Sequence, residues 1–410
     1  MQVLLLVTVL VGCCVHGVLC GVDNRPKIDP RKVWDCTELH PIETCHITFV
    51  VESLLSMTFY NITDHRREWR GYRAAFTSPG KLSLLRDDVH PSLMEKLVMP
   101  ASVDGFFRPI IAINTQMPGP TIIAHADQFL SITVYNELLD VKGISVHWHG
   151  MHQMGSTRMD GLAYITQRPI MPFQSFRYQF KAAPVGTHWY HAHTGAQRTD
   201  GLLGALIVKE STTDNRYTID LPDQHTLILT DWFQEASIEV YQQVQSRVRF
   251  WKEMQTKLAT HYTVYKSTFA PDGTLIGYAP FWSATINGKG RHYNENGEAN
   301  FADISYFNVV PNQKYRFRLI GTQSIYALRF SIEGHKLMVI STDGFKINSI
   351  ANVDYVILHS GERYDVVVDT SGKDIRDYWI LAETLEDLTN LPYDIRLEHG
   401  LVKNIPNVLR

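Results

Sequence analysis

Two stretches decide how this sequence folds and what it can do: Val146-His147-Trp148-His149-Gly150 and, some forty residues later, Thr187-His188-Trp189-Tyr190-His191-Ala192-His193-Thr194-Gly195. On a β-strand, side chains two apart share a face. His147 and His149 therefore project together, and so do His191 and His193. If the two strands are neighbours, four imidazoles converge on one small volume. Imidazole nitrogen suits copper or zinc, whereas magnesium and calcium take oxygen. A lone His-x-His on a strand is usually an exposed face without a ligand. Two such pairs, each beside Trp or Tyr and each followed closely by Gly, point to a metal centre. His152 and His188 flank the pairs out of phase, which predicts surface or supporting positions rather than ligation. His261, His292, His335, His359 and His399 are scattered singly and read as structural.

Outward from these motifs the pattern is one of short β-type runs separated by Gly, Pro, Asn and Asp. In the first half they are Ile47–Val51, Ile110–Asn114, Thr121–Ala124, Leu130–Asn136, Ile144–His149, Phe176–Phe180, Thr187–His191, Ala205–Lys209 and His225–Thr230. A second set comprises Phe307–Val310, Tyr315–Ile320, Leu328–Ile332, Leu337–Thr342, Val356–Leu358, Tyr364–Val368 and Tyr378–Ala382. The fold class is all-β, two related sandwiches or barrels in tandem. One helical insertion is predicted in the second, over Gln234–His261, where Ile238, Tyr241, Val244, Val248 and Trp251 recur at three- and four-residue spacings. The charged stretch 64–103 reads as an irregular insertion in the first domain. The expected division is 1–20 leader, 21–44 amino-terminal extension, 45–214 first domain, 215–390 second domain and 391–410 tail.

The chain has 410 residues, 44% hydrophobic and 20% charged, a globular composition with room for two or three domains. A formal net charge of −3 provides no long-range field for nucleic acid or anionic lipid. Met1–Cys20 carries an unbroken apolar run from Val3 to Val11, too short to span a bilayer and suited to a secretory signal peptide, although basic residues are missing from its start. Leu10-Val11-Gly12-Cys13 also resembles a bacterial lipid-attachment box. No later segment is long and apolar enough to span a membrane, so an exported protein is expected. Cys13, Cys14 and Cys20 lie in the leader, which leaves Cys36 and Cys45 to form one disulfide in an oxidising compartment, or to remain as two thiols. Asn61-Ile62-Thr63 is a glycosylation sequon.

His147-Trp148-His149-Gly150 and His191-Ala192-His193 resemble the first two copper motifs of the multicopper oxidases. Asn114-Thr115-Gln116-Met117-Pro118-Gly119-Pro120-Thr121-Ile122 is similar to the family's opening strand and turn. Met159-Asp160-Gly161, Ile165-Thr166-Gln167, Gln197-Arg198-Thr199-Asp200-Gly201 and Gly361-Glu362-Arg363-Tyr364-Asp365 follow in the family's order. The stretch from Cys45 to Val51 and the sequon are similar to animal laccases in particular. The resemblance spans about residues 45–385. It implies cupredoxin-like Greek-key domains and copper as cofactor, with His147 on a type 2 copper and His149, His191 and His193 on the type 3 pair. It implies that Asp160 assists proton delivery, against its plainer reading as a turn residue before Gly161. It also implies that Trp148 and Tyr190 pack around the site and orient the ligands. Dioxygen and small aromatic, diphenol-like reductants are the implied substrates.

The sequence also departs from the family. No His-x-His follows His193 and no cysteine follows Cys45, so the other half of the trinuclear site and the blue copper ligands, which the family takes from a third domain, are expected to be missing from this chain. Arg168 stands where laccases commonly have Cys, as do Tyr60 and His65 where animal laccases often have it. The expectation is a laccase-like chain needing a longer polypeptide, or a partner chain, to complete its copper site. The alternative is a catalytically inactive secreted protein for copper binding or matrix assembly.

Overall fold

The computed structural model describes residues 28–384 and the strand Ile405–Leu409, apart from 30, 64–65, 86–92, 94–95, 140–142, 211–217, 247, 250–262, 265–267, 270–274, 277–281 and 294–297. The leader, His65, His261, His399, and the expected boundary between residues 214 and 215 lie outside the described residues.

Strands alternating apolar and polar residues must hide one face, and the first half of the chain does so by packing two sheets together. One has five strands in the order Val33–Asp35, Thr121–His125, Leu203–Lys209, Gly186–Ala192 and Val146–His149. The other has four: Ser175–Lys181, Phe129–Asn136, Cys45–Leu55 and Pro109–Ile113. Phe49, Ile132, Val134, Trp148, Tyr178, Phe180 and Tyr190 fill the space between them. The expected extension 21–44 is therefore partly sheet. Val33–Asp35 pairs parallel with Thr121–Ile123, and the disulfide Cys36–Cys45, Cα atoms 5.7 Å apart, clips it to the opposite sheet.

The second sandwich pairs a six-stranded sheet (Ser283–Ile286, Thr226–Trp232, Lys314–Gly321, Arg363–Asp369, Leu337–Thr342, Phe345–Val353) with a five-stranded one (Tyr306–Phe307, Ile405–Leu409, Tyr378–Thr384, Leu328–Ile332, Val356–Leu358). Its core is built on Leu227, Phe317, Leu319, Phe330, Leu358, Val366 and Ile380. Part of the expected tail is thus a strand of this domain.

Two expectations are corrected. Within 64–103, Arg66–Ser78 and Lys81–Leu84 form a hairpin that continues onto Thr58–Thr63 and Leu97–Val98, so much of the described part of the charged stretch is sheet. Its strands alternate too few large apolar residues to be recognised by pattern. The helix predicted over Gln234–His261 is seen over Ser237–Ser246. Val248 and Arg249 instead pair with Val264 and Thr263, because apolar residues four apart also suit a strand face. Val240 carries this helix into the second core. No helix among the described residues is long and apolar enough to cross a membrane. Asn61 of the sequon is buried in the ladder opposite Leu97.

Candidate metal centre

The Val146–His149 and Gly186–Ala192 strands are antiparallel neighbours, with His147 opposite His191, Trp148 opposite Tyr190, and His149 opposite Trp189. Alternation then separates the residues by parity. His147, His149, Trp189, His191 and His193 share one face, while Val146, Trp148, Tyr190 and Ala192 enter the sandwich core. The four expected ligands are brought together. One nitrogen each from His147, His149 and His191 lie within 4.8 Å of one another. The His193 ring is centred 5.5 Å from that of His147 and 5.9 Å from that of His191, at the exposed edge of the group.

The expected supporting role of Trp148 and Tyr190 is overturned by the same parity. Trp148 packs on Phe180 and Tyr178, and the Tyr190 hydroxyl donates to the Pro120 carbonyl at 2.7 Å. The aromatic residue at the site is Trp189, which lies 4.1 Å centroid to centroid from His191 and 5.1 Å from His149, near-parallel to both. Counting in twos from His191 would have found it.

Hydrogen bonds set the tautomers. His147 Nδ1 donates to the Asp160 carbonyl at 2.7 Å, and His191 Nδ1 to the Ala192 carbonyl at 2.9 Å. A carbonyl can only accept, so both rings keep Nε2 as a lone pair, the state a metal needs. His149 Nδ1 faces His191 Nε2 at 3.4 Å. Burial pushes the pKa of His147, His149 and His191 down, His149 to about 3 with help from the charges of Arg363, His147 and Arg198. The imidazoles are therefore neutral at physiological pH and convergent. With no thiolate among them, this donor set fits copper or zinc.

Asp160 is the turn residue before Gly161, and its carboxylate also lies beside the site. It ends a 3-10 turn over Thr157–Met159 and gives its carbonyl to His147, while its carboxylate lies 3.4 Å from His147 Nδ1. Gly161, at φ +83°, makes this approach possible, since a Cβ there would sit 1.8 Å from the Val146 carbonyl oxygen. His188 is fully buried rather than on the surface, donating to the Pro184 carbonyl at 3.0 Å. His152 is exposed. Of the histidines read as structural, His335 and His292 hold main-chain carbonyls, of Glu333 and Trp282.

The second sandwich supports the site from behind. Arg363 is buried and donates to the carbonyls of Thr187, Gly361 and Asp343 and to the Asp343 carboxylate. Thr187, on the same strand face as the ligands, donates to Asp365 at 2.6 Å and accepts from Arg318 at 2.7 Å. Arg318 and Arg316 both also reach Asp220 and Asp365. Burial alone would raise the pKa of Asp365, but Arg318 and Arg316 reverse this and hold it below the usual carboxylate value.

Residues 98–213 and 223–395 each match a family model described as multicopper oxidase. This chain belongs to the multicopper oxidase family. Among curated relatives of that family, it is 33% identical over 294 residues to laccase-1 of Thanatephorus cucumeris, covering 70% of this chain and 45% of the relative. It is 31% identical over 298 residues to an L-ascorbate oxidase of Brassica rapa subsp. pekinensis, covering 69% and 47%. The chain thus spans about half the length of the curated relatives it matches. The multicopper oxidase fold recurs in the laccase of Botrytis aclada, with TM-score 0.59 at 23% identity over 94% of this chain and 57% of that one. It recurs also in a blue copper oxidase of Nitrosomonas europaea, with TM-score 0.52 at 21% identity over 90% and 86%.

Proposed function

We propose that this chain is the amino-terminal, copper-binding part of a secreted laccase-type oxidase, with His147, His149, His191 and His193 as ligands. The observation that carries this reading is the convergence of neutral imidazole nitrogens from two adjacent strands, within 4.8 Å for three of them. By the family pattern His147 serves a type 2 copper and the other three serve a type 3 pair. Copper held there supplies the one-electron steps that link oxidation of a diphenol-like reductant to reduction of dioxygen to water. The chain's own groups supply the rest. The carbonyls of Asp160 and Ala192 fix the donor nitrogens, the Asp160 carboxylate stands ready to hold or pass a proton beside His147, and Trp189 stacks on the ring of His191.

Four imidazoles make half of a trinuclear shell. The sequence has no other His-x-His and no cysteine after Cys45, so the remaining ligands and the electron-entry site come from further polypeptide, in a longer chain or a partner chain. Secretion is supported by the apolar leader and by the Cys36–Cys45 disulfide. The alternative reading is a secreted copper-binding or matrix-assembly protein without turnover.

Copper uptake after equilibrium dialysis tests the ligand set. His149→Ala and His193→Ala abolish uptake while circular dichroism stays native, and His335→Ala takes up copper like the parent. Equal retention in all three sinks the assignment. Oxygen consumption with a catechol by the parent chain supplemented with its complementary polypeptide separates the two readings: turnover supports the oxidase, and stoichiometric copper without turnover supports the binding protein.

A further inference from the structure

A metal-binding imidazole is normally held by a hydrogen bond from its other nitrogen, which fixes the ring's rotation. His147 and His191 have such a bond, to Asp160 and Ala192. His149 has no bond of this kind to main chain or carboxylate among the described residues. Its contact with His191 at 3.4 Å joins two nitrogens that both face the prospective metal. What touches the His149 ring instead is the flat face of Trp189, inclined by 29°, and the Gly361 turn, where a Cβ would come within 3.0 Å of His149 Cε1.

Trp189 is in turn packed by residues of both sandwiches. Its indole is fully buried in a cluster of Ile123, Leu203, Ala205 and Ile207 with Ile228 and Ile320 of the second domain. The Arg198 guanidinium stands 5.8 Å from its centre and interacts with Asp231, whose carboxylate accepts from the amides of Ser324 and Ile325. The indole N–H finds no hydrogen-bond partner among the described residues, so no polar pairing among them accounts for a tryptophan here.

We propose that Trp189 is a positioning residue that fixes the ring of His149 for metal ligation, in place of the main-chain or carboxylate hydrogen bond that His147 and His191 have. This rests on the copper reading above, and the test separates the two. Imidazole proton–nitrogen correlation spectra of the metal-free chain report ring order directly, and Cu(II) titration of the same samples reports its consequence. The variants are Trp189→Phe, which keeps a stacked ring, and Trp189→Leu, which does not. Ile320→Val loosens the same cluster without touching a ring.

In Trp189→Leu the His149 signals broaden or average between tautomers while those of His147 are unchanged, and Cu(II) affinity falls about 10–100-fold, the usual range for losing a ligand's support. Trp189→Phe restores most of both, and Ile320→Val changes neither. Should Trp189→Leu lose its near-ultraviolet dichroism, Trp189→Met, unbranched and able to adapt to the vacated space, takes its place. Unchanged His149 signals in the leucine or methionine variant overturn the proposal, as does an equal loss in Ile320→Val. If no sample takes up copper yet His149 loses order only when the ring is removed, the positioning role stands and the copper reading falls.

Discussion

One face of the strand Gly186–Ala192 carries two buried polar clusters that differ in a single respect. At its start, Thr187 joins Asp365, Arg318, Arg316 and Asp220, where every charge has an opposite charge and hydrogen bonds to match. At its end, His191 joins His147 and His149, whose ring nitrogens converge within 4.8 Å with no charged partner between them among the described residues, His149 Nδ1 lying 3.4 Å from His191 Nε2. The first cluster is saturated and bonds the second sandwich to the first through the Thr187 hydroxyl. The second is unsaturated, and a folded chain tolerates that only because neutral imidazole costs far less to bury than an ion. A saturated polar cluster speaks for structure, an unsaturated convergent one for a ligand.

The largest effect belongs to the saturated cluster. Asp365→Ala leaves Arg316 and Arg318 with half of their partners, and removing one member of a buried charged network costs about 3–5 kcal/mol. Chemical denaturation would show the loss. If the midpoint barely moves, the network is not what joins the sandwiches.

Gly161→Ala comes next and strikes the unsaturated cluster. The added methyl collides with the Val146 carbonyl at a positive φ, at a cost of at least about 2 kcal/mol. Because the turn carries the Asp160 carbonyl away from His147, copper affinity falls with stability. Stability lost with affinity intact would mean the Asp160 bond does not set the ligand.

Acid separates the clusters by sign and by window. The unfolded chain's histidines take protons near pH 6.5, while folded His147, His149 and His191 resist, His149 down to about 3. The unfolded state then binds more protons through that interval, so stability falls as pH drops below about 6.5. Asp365, with its lowered pKa, stabilises the fold at neutral pH and is lost only at stronger acid. Thermal melts of the metal-free chain should decline from pH 7 to 5, less steeply in His149→Ala. A flat parent profile would contradict the buried neutral state.

The smallest change is Lys346→Ala. It removes an exposed pair with Glu210 across the same seam, worth about 0.5 kcal/mol or less. A larger shift would move the domain lock outward from Asp365.

Most of both sandwiches was legible because their strands alternate; Leu328–Ile332, Leu337–Thr342 and Val356–Leu358 have the limits their patterns predict. Phe345–Val353 was not, because it is an edge strand with no buried residue and hence no alternation to read. The four histidines were legible from parity alone, yet the neighbouring aromatics were chosen by proximity in sequence, which put Trp148 and Tyr190 at a face they turn away from. The lock of Asp220, Arg318 and Asp365 had no local signature, since its members meet only when strands far apart in the chain come together.

The pairing of His147 with His191 and of Trp148 with Tyr190 on one ladder has a consequence for how the chain can fail. A slip of one residue would turn the tryptophan and tyrosine outward and the imidazoles into the core. A slip of two would keep each face but pull His147 out of line with His191. Core and ligand set are thus two sides of one register, and a bound metal ion works as a proofreader, reporting that the ladder closed in the single alignment that also fills the interior.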